Sequence, residues 1–313
     1  MAAIVVVGSV NADMILRVER LPRPGETVLG REFSMTQGGK GANQAVAARR
    51  AGGDVSLIAR VGDDPFGRQA LDRLNAEKID TRPIRQESPG TTGVALIFVD
   101  AHGENSIGVA SGANAALSPL DVFSARQTIA GADVLLVQLE TPVETVVSAV
   151  LLARENSVPV ILNPAPACAL PASLWSNVSI LTPNRVEAET LSGTRVTDKE
   201  SARLAAARLH EKGIKTVIIT MGEEGVLASS AGEVFHLEAH PVNALDTTAA
   251  GDVFSGALAV ALAEHRTLRD AVQFANAAAA LCVTRLGAQP SIPHRSDIDA
   301  FLRQMEEQAV LKH

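Results

Sequence analysis

Six short apolar runs separated by segments with helical spacing constrain the fold of this chain more than any other feature. The apolar runs lie at 4–8, 55–61, 134–139, 158–162, 180–182 and 216–220. Helical patterns between several of them lie at 41–51, 66–77, 142–155 and 199–212. Runs that are apolar at successive positions are typical of strands covered on both faces. The sequence therefore predicts a doubly wound α/β fold, with a mostly parallel central sheet flanked by helices.

A second kind of strand pattern is looser and more polar. It occurs at 14–18, 26–29, 93–99 and 104–110, and predicts a small separate sheet with one wet face. The last third of the chain is helical in pattern, at 250–264, 268–284 and 296–307. With no internal repeat, long linker or low-complexity tract, residues 1–313 are interpreted as a single domain.

Composition excludes several classes of protein. Of 313 residues, 46% are hydrophobic and 20% are charged, which is ordinary for a globular protein. A net charge of −7, no tyrosine and one tryptophan argue against a nucleic-acid partner. No apolar run approaches a membrane span, and the N-terminus lacks the basic region of a signal peptide. Cys168 and Cys282 have no metal-ligand spacing, so we expect free thiols in a reducing, cytoplasmic compartment.

The segment DTTAAGD at 246–252 runs directly into a long apolar helix. Gly251 allows the backbone to lie close to a ligand, and the first turn of the helix offers unpaired N–H groups that suit phosphate oxygens. Asp252 lies among those donors, where a carboxylate can take a proton from an attacking hydroxyl. The pattern is typical of a phosphoryl-transfer site. Alternatively, Asp252 only stabilises the start of the helix.

Two further motifs lie near the N-terminus. QGGKGANQ at 37–44 predicts a glycine-rich loop around Lys40, with Asn43 and Gln44 at the entry to a helix. GSVNAD at 8–13 follows the first strand and supplies Asn11 and Asp13, which can hold hydroxyl groups. Each motif taken alone is also consistent with an ordinary turn.

The middle of the chain carries polar residues at predicted strand ends, where ligands of open α/β sheets bind. Asn184 and Glu187 share one face of a helical turn, although an acidic, solvated helix start would look the same. The turn TMGEEG at 220–225 is suited to lie beside phosphates, or is a plain hairpin turn. Glu140 ends a strand and by itself is consistent with a cap for the helix that begins near Pro142.

Two common nucleotide-binding motifs are absent from the sequence. Lys40 is followed by Gly41, so GxxxxGK(S/T) does not occur and the chain has no P-loop. The first strand leads to GSVNAD rather than GxGxxG, which argues against a dinucleotide-binding dehydrogenase.

Together the motifs resemble the ribokinase, or PfkB carbohydrate kinase, family over nearly the whole chain. GGKGANQAVAA, LNPAPA, TPNRVEAE and DTTAAGD occur in the family's order. Segments 11–13, 93–100, 112–119 and 284–293 are most similar to its ribose-phosphorylating members. The resemblance implies ATP-dependent phosphorylation of the 5-hydroxyl of D-ribose, giving ribose 5-phosphate and ADP.

The resemblance also implies roles for individual residues. Asp252 is the implied base, beside an anion hole formed by Ala249, Ala250, Gly251 and Asp252. The implied sugar-binding residues are Asn11, Ala12, Asp13, Gly39, Lys40, Gly41, Ala42, Asn43, Glu140 and Asp252. The implied ATP-binding residues are Asn184, Thr220, Met221, Gly222, Glu223, Glu224, Gly225, Gly251, Asp252 and Asn276. The implied ligands of a monovalent cation, usually K+, are Asp246, Thr248, Cys282, Arg285, Gly287 and Ser291. Glu187 is the implied Mg2+ residue, acting through water.

The resemblance implies that the small sheet, from strands at about 11–34 and 92–110, is a lid over the sugar, and that it forms the dimer contact, as it often does in the family. We therefore expect a homodimer joined through the lid sheets. Three alternatives remain open: a kinase of the same fold acting on deoxyribose, a nucleoside or another sugar such as fructose; a non-catalytic sugar-binding regulator; and a structural protein.

Overall fold

The computed structural model describes residues 1–102, 104–230 and 232–310. Its strands are β1 (Ala3–Val7), β2 (Asn11–Val18), β3 (Gly30–Gly38), β4 (Asp54–Gly62), β5 (Ile84–Glu87), β6 (Gly93–Val99), β7 (Asn105–Ala110), β8 (Val134–Val137), β9 (Val160–Leu162), β10 (Ile180–Leu181), β11 (Thr216–Thr220), β12 (Val226–Ser230) and β13 (Glu233–Leu237). Its α-helices are α1 (Lys40–Arg50), α2 (Pro65–Ala76), α3 (Pro119–Ser124), α4 (Arg126–Ala130), α5 (Val143–Glu155), α6 (Ala172–Trp175), α7 (Arg185–Ser192), α8 (Lys199–Glu211), α9 (Ala250–Ala263), α10 (Leu268–Cys282) and α11 (Arg295–Val310).

The central sheet confirms the predicted doubly wound α/β fold. Within the described residues it has nine strands in the order β13-β12-β11-β10-β9-β8-β1-β4-β5. The pairs from β11 to β5 are parallel, and β12 and β13 add an antiparallel edge. The short edge strands β5 and β13 carry no continuous apolar run, which is why the sequence pattern did not predict them.

Hydrophobic cores cover both faces of this sheet. In β1, Ile4 and Val6 pack with α1, α9 and α10, whereas Val5 and Val7 pack on the opposite side with α5 and α8. All four side chains are at most 3% exposed. Burial of both faces accounts for the uninterrupted apolar runs, and each buried aliphatic side chain contributes about 1.5–3 kcal/mol.

A smaller sheet stands apart from the central one. In the described part of the chain it has four strands in the order β3-β2-β6-β7, which confirms the predicted second sheet. The strand expected at 26–29 is wrong, because those residues form a loop and β3 runs from Gly30 to Gly38 in register with β2. The expected lid segment 92–110 includes Gly103, which lies outside the described residues.

The glycine-rich segment is more regular than the loop predicted at 37–44. Gln37 and Gly38 end β3, Gly39 forms the joint, and α1 begins at Lys40. None of the helices in the described residues combines the length and apolar character that a membrane crossing requires.

Candidate active site

Polar residues gather at the carboxyl ends of the central strands, where the predicted motifs meet. Glu140 follows β8, Asn163 follows β9 and Asn184 follows β10. The first turn of α9 faces this edge of the sheet, across a cavity of about 190 Å³. The cavity is lined by Lys40, Asn163, Asn184, Glu187, Thr220, Gly251, Asp252 and neighbouring residues. Motifs far apart in sequence are thus brought to one site.

The start of α9 offers backbone donors to this cavity. Ala249 caps the helix with φ of 64°, a left-handed conformation that is uncommon for alanine. The N–H of Ala250 donates to the Thr247 carbonyl over 3.2 Å. The N–H groups of Ala249, Gly251 and Asp252 have no hydrogen-bond acceptor among the described residues, and a Cβ on Gly251 would meet open space. Three of the four N–H groups in the implied anion hole are therefore free, while that of Ala250 is engaged.

The carboxylate of Asp252 is buried, and each of its two oxygens accepts a hydrogen bond from α1. Asn43 Nδ2 donates to its Oδ2 over 3.0 Å, and Gln44 Nε2 donates to its Oδ1 over 2.9 Å. Burial raises the pKa of Asp252, while Lys40, Asn43 and Gln44 partly offset that rise. A carboxylate with a raised pKa is a better proton acceptor, provided that it stays ionised at working pH.

Gln44 is a site residue to which the sequence assigned no role. Its Nε2 also donates to Asn163 Oδ1 over 3.1 Å, and its Oε1 accepts from Gln138 Nε2 over 2.6 Å. These contacts fix the amide of Gln44 with its NH2 group toward Asp252. Asn163 and Gln138 lie about one hundred residues away in sequence. Only the polar character of Gln44 at the entry to α1 could have pointed to it.

The joint between β3 and α1 positions Lys40. Gly39 has φ of 87°, and a Cβ there would lie 2.7 Å from the Asn11 backbone nitrogen. Gly41 packs closely on the backbone of Gly8 and Ser9, and Ala42 donates its N–H to the Ser9 carbonyl. Burial lowers the pKa of Lys40, but the carboxylates of Asp252, Glu140, Glu187 and Asp13 outweigh that effect and raise it. Lys40 therefore stays protonated in the site.

Glu140 caps a helix other than the one considered from sequence. Its Oε2 accepts from the Lys40 N–H over 3.0 Å and from Ser9 Oγ over 2.5 Å. It therefore satisfies the first turn of α1, whereas α5 has Pro142 at its cap and no side-chain cap bond. Glu140 thus links the segments that follow β1 and β8 to the start of α1, next to Lys40.

Asn11 and Asp13 lie on one face of β2, at the edge of the small sheet nearest the site. A Cβ on Gly38 would lie 2.0 Å from Asp13 Oδ2, and one on Gly93 would lie 2.2 Å from Asn11 Oδ1. The two glycines therefore provide the space for these side chains. Burial, together with Glu140 and Asp252, raises the pKa of Asp13 to about 6. Ala12 between them points to the opposite face, so only its backbone can serve the site.

Asn184 and Glu187 form a reciprocal capping box at the start of α7. Glu187 accepts from the Asn184 backbone N–H over 2.8 Å and from Asn184 Nδ2 over 3.0 Å, while Asn184 Oδ1 accepts from the Glu187 N–H. Glu187 is only 8% exposed, and burial is the main cause of its raised pKa. The alternative of a solvated helix start is therefore wrong, because the carboxylate is buried beside the cavity.

A larger cleft of about 790 Å³ continues from the small cavity. It has an apolar wall that includes Val226, Val242, Ala279, Ala280 and Val283. It also reaches all but one of the predicted ATP-binding residues outside α9, namely Asn184, Thr220, Met221, Gly222, Glu223, Gly225 and Asn276. The exception is Glu224, whose carboxylate pairs with Arg185. A planar base can be held by the apolar wall, with phosphates directed toward Gly251.

The loop before α9 is tied to the segment after α10. Asp246 accepts from the Thr248 N–H over 2.9 Å and from the Gly287 N–H over 2.8 Å. Burial raises the pKa of Asp246, but these hydrogen bonds outweigh it and lower that pKa. The Cys282 thiol lies 3.0 Å from Ser291 Oγ and 3.7 Å from the Thr248 carbonyl, and burial raises its pKa to about 11.

These groups fit a hard monovalent cation through their oxygen atoms. The oxygen atoms that could coordinate such a cation belong to the Asp246 carboxylate, the Ser291 hydroxyl and backbone carbonyls. Arg285 directs its guanidinium to Asp297 at 3.3 Å, so only its carbonyl can contribute. Within the described residues, no group of three or more His, Cys, Asp or Glu side chains is arranged to hold a metal ion.

Comparison with known proteins identifies the family of this chain. Residues 1–295 match the family described as pfkB family carbohydrate kinase. A ribokinase of Haemophilus influenzae is 46% identical over 297 residues, covering 95% of this chain and 97% of that protein.

Solved structures give the same result. A ribokinase from Thermotoga maritima superposes with a TM-score of 0.89 at 38% identity, covering 97% of this chain and 100% of that one. Ribokinase of Arabidopsis thaliana, solved with ribose and ATP, has a TM-score of 0.90 at 32% identity and covers 96% and 99% of the two chains. With its motifs assembled at one site and its similarity extending over nearly its whole length, the chain belongs to the pfkB family of carbohydrate kinases.

Proposed function

We propose that this protein phosphorylates D-ribose at the 5-hydroxyl with ATP, producing ribose 5-phosphate and ADP. The observation that carries the proposal is the position of Asp252. Its carboxylate is reached from one side by Asn43 and Gln44 of α1, and lies at the free N–H groups that begin α9. A base and an anion hole thus share one small cavity. The ribokinases among its relatives support ribose as the sugar.

The arrangement accounts for each part of the transfer. Asn11, Asp13, Lys40, Asn43 and Glu140 hold the sugar hydroxyls, with Gly39, Gly41 and Ala42 contributing backbone. Asp252 accepts the proton of the 5-hydroxyl as its oxygen bonds to the γ-phosphorus. The bond from that phosphorus to the β,γ-bridging oxygen breaks, and ADP leaves. The N–H groups of Gly251 and Asp252 stabilise the charge on the transferring group, which is where most catalysis of this reaction lies.

We propose that Mg2+ and K+ assist this reaction. Glu187 has both carboxylate oxygens in the capping box, so its remaining lone pairs suit a water-mediated contact with Mg2+. Bound Mg2+ neutralises negative charge on the phosphates. Asp246, Ser291 and the carbonyls of Thr248, Cys282, Arg285 and Gly287 are the proposed K+ ligands. K+ there would hold the loop that leads into α9.

We further propose that the protein is a single domain that forms a homodimer through the outer face of the small sheet. Phe33, Met35 and Leu96 lie on the face opposite Asp13, with exposed fractions of 63%, 38% and 51%. Apolar side chains grouped in this way are typical of an interaction surface. The cytoplasm is the proposed location, since Cys168 and Cys282 are free thiols.

A coupled ADP-release assay over a panel of sugars tests the proposed function. Ribose, 2-deoxyribose, fructose and nucleosides are compared with and without K+ at fixed Mg2+. We expect ribose to give the highest kcat/KM and K+ to increase it. A higher kcat/KM for another sugar would replace ribose as the substrate. Sugar binding without ADP release would instead indicate a non-catalytic regulator.

A further inference from the structure

Arg185 lies on the wall of the larger cleft, next to Asn184, one of the residues that line both cavities. It is the first residue of α7 and directly follows Asn184. Asn184 lines both the small cavity at Asp252 and the 790 Å³ cleft, whereas Arg185 lines the cleft alone. Arg185 therefore lines the larger cleft next to a residue that also borders the cavity at Asp252.

The guanidinium of Arg185 has spare hydrogen-bonding capacity. Its Nη2 lies 2.7 Å from Glu224 Oε1, with side-chain exposures of 32% and 42%. Its Nε is buried and has no hydrogen-bond partner in the described part of the chain. A buried N–H without a partner is costly, so this donor is suited to a ligand that is absent here.

The distribution of charged residues around the cleft distinguishes Arg185 from the other residues that line it. It is the only lysine or arginine among the described residues that line the cleft, and Glu223 also lines that cleft. The cation of the smaller cavity is Lys40, at the sugar end of the site. A nucleoside di- or triphosphate brings several negative charges into the cleft. Arg185 is the cleft residue able to balance them.

We propose that Arg185 is a nucleotide-binding residue, whose guanidinium exchanges Glu224 for a phosphate oxygen of ATP or ADP. The proposal rests on the proposed function, because it takes ATP as the phosphoryl donor. The planar fork of arginine binds phosphate with two parallel hydrogen bonds. Glu224, on the turn Gly222–Glu224, holds that fork at the cleft in the free protein and competes with the nucleotide.

Nucleotide affinity in three variants tests the exchange. ADP binding is measured by calorimetry, and the ATP and ribose KM values by steady-state kinetics, for Arg185→Gln, Arg185→Lys and Glu224→Gln. We expect Arg185→Gln to raise the ADP Kd and the ATP KM by about tenfold or more, while the ribose KM is unchanged. Arg185→Lys should lie between that variant and wild type. Glu224→Gln should tighten ADP binding, because the competing carboxylate is lost.

A purely structural ion pair predicts a different pattern. Arg185→Gln and Glu224→Gln would then shift nucleotide affinity in the same direction, which would overturn the proposal. An ADP Kd for Arg185→Gln within about twofold of wild type, well below the effect of a charged hydrogen bond, would also overturn it. Arg203→Gln, which removes the surface partner of Glu200, is the matched control and should change neither constant. ADP calorimetry needs no turnover, so it tests Arg185 even if the protein phosphorylates no sugar.

Discussion

At the scale of single residues, the site depends on carboxylates whose ionisation is set by burial. Asp13 is 9% exposed and lies near Glu140 and Asp252. Both neighbours oppose its ionisation, whereas Lys40 favours it. Asp252 is subject to the same opposing effects. The pH range over which the site functions is therefore determined by a few neighbouring side chains.

Ribose binding should weaken as the pH falls through the pKa of Asp13, which is about 6. Above that pH the carboxylate accepts sugar hydrogen bonds, and below it protonation removes an acceptor. With one linked proton, the ribose Kd should rise by about tenfold per pH unit below the pKa. Calorimetry between pH 5 and pH 8 measures the change. Asp13→Asn should bind weakly with no such dependence, and a flat profile for wild type would contradict the assignment.

Gln44→Leu should impair both stability and the pH profile. The change leaves Asn163, Gln138 and Asp252 each short of a hydrogen bond, at a cost of about 1–3 kcal/mol for each buried group. It also removes a donor that favours ionised Asp252, so the pKa of Asp252 rises. The acidic limb of kcat should move to higher pH.

The control for this variant is Thr145→Val, which deletes a buried hydroxyl that donates to Leu117. That variant should lose stability without shifting the pH profile. If the two variants have the same profile, Gln44 has no influence on Asp252.

At the scale of helices and strands, the joint between β3 and α1 shows what sequence could and could not predict. The three glycines of 37–44 marked a place of close backbone approach, and Gly39 and Gly41 confirm it. The sequence did not indicate that β3 would reach Gly38. That strand is set by its register with β2 and by the space that Asp13 needs over Gly38. The register and the space over Gly38 both depend on residues distant in sequence, so neither produces a recognisable pattern within 30–38.

Gly39→Ala should lower both stability and ribose affinity. The backbone of Gly39, with φ of 87° and ψ of 130°, is strained for an L-residue by about 1–3 kcal/mol, and the new Cβ would press against the backbone of Val10 and Asn11. Thermal unfolding and ribose calorimetry measure the two effects. Gly52→Ala at the other end of α1 is the matched control, since its φ of 108° also strains alanine but its nearest contact is Arg295. Equal loss of ribose affinity in both variants would contradict a local role for the joint.

At the scale of the whole molecule, the sequence predicted the central sheet and its flanking helices better than the side-chain contacts between these elements. Strands such as β1 and β8 are buried on both faces, so their residues form continuous apolar runs that can be recognised in the sequence. The network of Gln138, Gln44, Asn163 and Asp252 joins the ends of separate strands to two helices. The spacing of apolar residues along the sequence does not indicate which polar side chains will contact each other. The ion pair of Arg185 with Glu224 escaped prediction for the same reason.

Charges on the outer face of the small sheet should break the proposed dimer. Wild type is expected to sediment as a dimer at micromolar concentration, and Leu96→Glu as a monomer, because a charge cannot be buried there without a partner. Leu204→Glu, at another exposed leucine on α8, should remain dimeric. A monomeric wild type would contradict the interface, and ribose calorimetry on Leu96→Glu would show whether the site depends on it.

The central claim is that Asp252 is the base for phosphoryl transfer, and Asp252→Asn tests it most directly. The amide keeps the volume of the carboxylate but cannot accept the proton, so kcat should fall by about 10²- to 10⁴-fold. Ribose Kd should change little, because the amide still contacts the 5-hydroxyl. Asp270→Asn, at the equivalent third position of α10, is the matched control and should leave turnover unchanged. A kcat of Asp252→Asn within about threefold of wild type, in a variant that folds and binds ribose, would contradict the mechanism.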